Sequence, residues 1–190
     1  MYKRQQLLKL FGADGVAAYG VLMYVGFVFA AVFIGYSQGT APIVSYHFGA
    51  DNKDELKNLL RRSVTIIAVA GVAMLAASEL LAGPLAKIFV GYDAGLLALT
   101  IHGMKLYSIS FILSGFNIFG SAFFTALNNG FISSVISLLQ SVVFQIIAVI
   151  ALPLWLGTDG IWLSVSIAKL LAFFVTVSFW ISCRKEYHYA

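Results

Sequence analysis

Residues able to do chemistry are few in this 190-residue sequence, and most of them are neutral. Tyr107, Ser110, Ser114, Asn117, Ser121 and Thr125 recur at intervals of three and four, which puts them on one face of a helix. Ser134, Ser137, Ser141 and Gln145 repeat the device one helix later, with Gln140 close by. Both stripes lie between residues 106 and 158, a run without Asp, Glu, Lys or Arg. Hydroxyls and amides at membrane depth are costly unless they meet protein or water. Two outcomes are open. The stripes line a shared aqueous cavity in which Tyr107, Ser114, Asn117 and Gln145 meet a ligand, or the serines bond neighbouring helices. Gln38, beside Gly39 in an earlier uncharged run, offers a donor and an acceptor to a ligand or to another helix. Lys169 is the one ammonium deep in the last apolar run, roughly 13 Å along a helix from Gly160. Inserting it costs about 2.5 kcal/mol or more. It requires a carboxylate partner, a water-filled cavity or the loss of its charge on burial, unless its long side chain reaches an interface. Aromatic residues in the first run (Tyr24, Phe27, Phe29 and Phe33) supply either a wall for flat or cationic ligands or a lipid-facing surface.

Other chemistries lack their residues. Glu79 is the only carboxylate inside an apolar run, and it falls near that run's outer end. With no Asp or Glu at mid-depth, an ion-coupled machine built on this chain needs its coupling acid elsewhere. His47, His102 and His188 are too far apart for a metal site. No phosphate-binding glycine loop, no Ser/His/Asp or Cys/His grouping and only one cysteine, Cys183, are present. The sequence therefore predicts neither an enzyme nor a bound cofactor.

The elements that carry these residues follow from composition. Hydrophobic residues make up 61% of the chain and charged residues 11%, whereas soluble domains carry roughly 25% charge. About 20 apolar residues cross a bilayer. Five spans are predicted, at about residues 16–46, 63–83, 102–127, 132–156 and 161–182, giving an all-α integral membrane domain over residues 1–190. The alternation of barrel strands is not seen, and the first apolar run is too long for a signal peptide. Gly39 and Pro42 offer a bend in the first span. Pro84 is expected to end the second, Asp93 to cap the third, Asn128-Asn129-Gly130 to turn the chain into the fourth, and residues 157–160 to turn it into the fifth. Lys53, Lys57, Arg61 and Arg62, together with Arg184 and Lys185, place one set of loops in the cytoplasm. The net charge of +4 is spread over such flanks, which argues against a nucleic-acid footprint. Lys3, Arg4 and Lys9 would then lie outside. That mismatch, with the odd count, predicts a preceding helix that is missing.

The stretch Gly35-Tyr36-Ser37-Gln38-Gly39-Thr40-Ala41-Pro42-Ile43-Val44-Ser45-Tyr46, followed by Phe48-Gly49-Ala50, resembles the multidrug and toxic compound extrusion (MATE) family. So do Gly115-Phe116-Asn117, the segment Ser121-Ala122-Phe123-Phe124-Thr125-Ala126-Leu127, and Leu156-Gly157-Thr158-Asp159-Gly160-Ile161-Trp162. The resemblance implies a twelve-helix antiporter of the bacterial plasma (inner) membrane, with two pseudosymmetric six-helix lobes. It implies export of drug-like organic cations in exchange for H+ or Na+. This chain would form most of the C-terminal lobe, residues 1–11 being the tail of that lobe's first helix, and would work against a missing N-terminal lobe. On that view Gln38, Tyr107, Ser114, Asn117, Gln145 and Lys169 face a central substrate cavity. Some members carry an acid where Asn117 stands, and members often show proline and glutamate where Ser166 and Lys169 stand. Two rivals are a lipid-linked oligosaccharide flippase of the same superfamily and a non-transporting truncated membrane module.

Overall fold

A computed structural model describes residues 2–187 and 189, with side chains described from residue 12 onward apart from that of His188. The side chains of Lys3, Arg4 and Lys9, and His188, therefore lie outside the described residues. The described chain is helical, with no strand: α1 (Tyr2–Gly49), α2 (Lys53–Val90), α3 (Ala94–Ala126), α4 (Gly130–Leu138), a π-helical turn (Leu139–Val143) and α5 (Phe144–Tyr187). Four helical runs are long and apolar enough to cross a membrane: Gly12–Gly49, Lys53–Val90, Ala94–Ala126 and Gly130–Tyr187.

Local residue chemistry sets most boundaries. The Asn52 side chain accepts from Glu55 N at 3.2 Å and starts α2. Asp93 caps α3 by accepting from Gly95 N at 2.8 Å and Leu96 N at 3.0 Å. Asn128 adopts φ 59°, a left-handed turn that asparagine tolerates, and Asn129 then caps α4 through Ile132 N at 3.0 Å. Two prolines behave differently from expectation. α2 continues through Pro84 to Val90, and α1 continues through Gly39 and Pro42. A proline removes one backbone donor, and in a lipid-embedded helix packed by neighbours that loss is tolerated. The break in α1 lies instead at Gly12, with φ 64° and ψ −147°.

The last run, 58 residues from Gly130 to Tyr187, would be roughly 87 Å long if straight, nearly three times the ~30 Å hydrocarbon core. It turns back at Gly157, where φ 58° and ψ −132° leave the helical region. Two hydrogen bonds record the reversal: Asn129 Nδ2 donates to Tyr187 Oη at 2.7 Å, and Lys169 Nζ donates to Gln140 Oε1 at 3.3 Å. Both pairs straddle the same turn, so the arms on either side of Gly157 lie antiparallel. Gly160 is required there, because a Cβ would collide with the carbonyl of Leu152.

α3 is the central helix. It packs on α1, α2 and the second arm of α5, and close approach depends on small residues, as expected where lipid supplies no hydrophobic force between helices. A Cβ on Gly71 of α2 would stand 2.9 Å from Ile112 Cα of α3. One on Gly103 of α3 would stand 3.0 Å from the Trp162 indole. Two buried clusters result. The first gathers Leu22, Ala86, Met104, Phe111 and Trp162, and the second gathers Phe33, Ile67, Phe119, Phe124 and Ile136. Between the clusters the helices part, and the polar residues meet there.

Candidate functional site

A cavity of about 390 Å³ opens where α1, α3, the π-helical turn and the second arm of α5 converge. α1 contributes Tyr19, Met23, Gly26, Phe27, Ala30 and Phe33, one face of the helix. α3 contributes Tyr107, Ser110, Phe111, Ser114 and Ile118. Ser141 and Gln145 enter from the π-helical turn and the start of α5, and Val165 and Lys169 from its second arm. The wall is mostly aromatic and aliphatic, with a few hydroxyls, one amide and one ammonium, the pattern of small-molecule sites. Phe29 backs the wall by packing edge-on against Phe111 with ring centroids 4.7 Å apart. Tyr107 closes over Gly26, where a Cβ would come within 2.9 Å of the phenol oxygen.

The polar stripe of α3 divides along its length. Its first three members, Tyr107, Ser110 and Ser114, line the cavity. Asn117 does not: it is fully buried, its Nδ2 donates to the carbonyl of Lys169 at 3.0 Å, and its Oδ1 accepts from Thr176 Oγ1 at 3.1 Å. That amide ties α3 to the second arm of α5, directly behind Lys169. Ser121 and Thr125 bond to α4: Ser121 meets Ser133 at 2.9 Å and Ser137 at 2.8 Å, and Thr125 meets Ser133 at 2.7 Å. Both outcomes left open by the sequence thus occur on one helix, cavity lining toward one end and helix–helix bonding toward the other.

Of the six residues singled out from sequence, the structure brings Tyr107, Ser114, Gln145 and Lys169 to one cavity. Gln38 lies apart from it on an exposed face of α1, and Asn117 sits behind it. Among the described residues no His, Cys, Asp or Glu cluster could hold a metal ion. Glu79 is exposed, accepts from Ser108 Oγ at 2.6 Å and does not line the cavity. Sequence reasoning missed Tyr19, Met23 and Gly26. Their spacing places them on the helix face of Phe27 and Phe33, but nothing in a uniformly apolar helix marks one face as the lining. It also missed the π-helical turn, which carries Ser141 to the cavity and Gln140 to within 3.3 Å of Lys169 Nζ, and which has no composition signal. Such bulges frequently mark functional sites.

Comparison with known proteins adds the following. The MatE family model matches residues 6–150. A search of curated protein sequences finds no match. The fold is similar to that of an outward-facing multidrug resistance MATE family transporter of the MOP superfamily, with TM-score 0.90 and 18% identity over 100% of this chain and 43% of the other. It is equally similar to an inward-facing structure of such a transporter, with TM-score 0.91 and 17% identity over 98% of this chain and 43% of the other. The Vibrio cholerae MATE transporter VcmN in its bent form matches with TM-score 0.88 and 16% identity over 97% of this chain and 42% of the other. The chain thus spans less than half the length of the transporters it resembles.

Proposed function

The chain belongs to the MatE family, and from that premise we propose that it forms most of one lobe of a secondary antiporter exporting drug-like molecules in exchange for H+ or Na+. The supporting observation is the cavity of about 390 Å³ with aromatic walls and convergent polar groups, a volume within the range of small-molecule sites. A second support is that one lobe fold resembles transporters in both the outward-facing and inward-facing states. Rigid rocking of a lobe of this kind against a partner would alternate access, as in other repeat-built transporters. Organic cations are the substrate class that the family resemblance suggests, and Tyr107, Ser114 and Gln145 are the polar contacts offered to a substrate. The flippase alternative needs a larger and more cationic cavity than one with a single lysine among its described lining residues. The truncated-module alternative lacks any feature that would use the cavity.

In this reading the protein crosses the membrane five times, with the reversal at Gly157 separating the last two crossings. The ends bearing Lys53 and Arg184 face the cytoplasm of a bacterial inner membrane. Single cysteines placed at Asn58 and Lys185 in a Cys183→Ser background should react with a membrane-impermeant maleimide only from the cytoplasmic side. Cysteines at Tyr92 and Thr158 should react only from the other. Labelling of residues 58 and 158 from the same side would rule out the five-crossing topology.

The cavity is tested by filling it. Gly26→Leu places a branched side chain against Tyr107 and should weaken binding of an aromatic drug-sized fluorophore to the chain in nanodiscs by about tenfold, or 1.4 kcal/mol. The far end of the tyrosine can move aside, so the fold should survive. Undiminished binding by the folded variant would remove the cavity from the proposal.

A further inference from the structure

Among the described residues, Lys169 is the only charged side chain lining the cavity. None of the eight carboxylates in the sequence lines it. Among the described residues no acid lies within ion-pair distance of Lys169. Its hydrogen-bond acceptor is the neutral oxygen of Gln140, at 3.3 Å. An ammonium has three donors, so this contact leaves two donors and the whole charge without a partner among the described residues. The backbone of Lys169 is fixed from behind by Asn117 through the carbonyl bond at 3.0 Å, so the lysine keeps its place on the cavity wall. Gln145, another lining residue, makes no hydrogen bond to a described residue, and its amide can donate to the same guest. Phe27, Phe33 and Phe111, which also line the cavity, give it an apolar aromatic wall.

From this we infer that the cavity recognises an anionic group, a carboxylate or sulfonate, on an amphiphilic guest, with Lys169 as counter-ion and the aromatic wall holding the apolar body. The inference rests on the cavity being a substrate site, and it puts anionic or zwitterionic amphiphiles in place of the organic cations that the family resemblance suggests. A simple organic cation entering this lobe meets an uncompensated ammonium. An anionic or zwitterionic amphiphile relieves it, and the low dielectric of the membrane strengthens the attraction. The aromatic faces alone would favour a cation by about 0.5–2 kcal/mol, so the lysine and the wall pull in opposite directions and a matched pair of probes can decide between them.

The test uses the whole chain in phosphatidylcholine nanodiscs and two probes with one body: pyrenebutyrate and pyrenebutyl-trimethylammonium. Fluorescence titration, corrected with empty discs, should show the carboxylate binding about tenfold more tightly than the ammonium, a difference of 1.4 kcal/mol. Lys169→Met should abolish that preference and Lys169→Arg should retain it. Equal binding of the two probes, tighter binding of the ammonium, or a preference that survives in Lys169→Met would each overturn the inference. Gly26→Leu separates the two levels. If it weakens both probes while Lys169→Met changes nothing, the cavity is a binding site but the charge assignment is wrong. If it weakens neither, the site reading itself fails. Phosphatidylglycerol in the discs distinguishes the sources of the anion. Competition with pyrenebutyrate identifies a lipid headgroup as guest and its absence a soluble amphiphile, and both outcomes uphold anion recognition.

Discussion

Replacing Trp162 with alanine should lower the unfolding free energy by about 3 kcal/mol, the lower end of the range for buried Trp→Ala changes. Trp162 is fully buried at the start of the second arm of α5. Its indole lies where Gly103 of α3 leaves room for it, 3.0 Å from the position a Cβ would occupy. In a membrane the truncated side chain gains little from transfer, because lipid is as apolar as the core. The loss is therefore mainly of packing contacts and of the filled volume. Gly103→Leu alone should also destabilise, by about 1–3 kcal/mol, because the new side chain meets the indole. In the double variant the leucine occupies part of the space left by the tryptophan. The two changes should then be less harmful together than their sum, by about 1 kcal/mol or more. Unfolding from mixed micelles, followed by near-ultraviolet circular dichroism, measures all four corners of the cycle. Strict additivity would show that Trp162 and Gly103 do not share a contact.

Gly71→Leu should cost about 2–3 kcal/mol, toward the upper end of overpacking penalties. The obstruction is backbone rather than side chain: the added Cβ would stand 2.9 Å from Ile112 Cα, and α3 cannot move aside locally. Either α2 must separate from α3 or α3 must shift as a body. A shift carries Phe111 and Ser114, on either side of Ile112, and with them one wall of the cavity. The variant should therefore lose probe binding together with stability, whereas Gly26→Leu should lose binding with the fold intact. A Gly71→Leu protein within about 0.5 kcal/mol of the parent, the usual span of neutral surface changes, would contradict the close approach of α2 and α3.

Much of this arrangement was legible in the sequence where the signal is local. Asp93 as a cap, the turn at Asn128-Asn129-Gly130 and the reversal around Gly157 each rest on backbone preferences of one or two residues, and the structure places all three there. Pro84 was misread because its usual effect assumes an isolated helix. In a packed apolar bundle one missing hydrogen bond does not end α2. The polar stripe of α3 gave the correct helix face, but that face meets three different environments along its length. Spacing alone could not say that Asn117 would turn inward to Thr176 while Ser114 faced the cavity. Gln38 shows the same limit in reverse: an amide in an apolar run reads as a site wherever it points, and here it points away from the cavity. The lining from α1 and the π-helical turn depend on which helices become neighbours, information that periodicity does not carry.

If the chain is one lobe of an alternating-access transporter, as proposed, it should bind but not move its substrate. Proteoliposomes holding this chain alone should therefore show no flux of an aromatic amphiphile under an imposed H+ or Na+ gradient. Those that also hold a complementary six-helix lobe should show gradient-driven flux that Gly26→Leu suppresses. Gradient-driven flux from the chain alone, or flux from the pair that ignores Gly26→Leu, would contradict the assignment of this cavity as one lobe's share of a transport site.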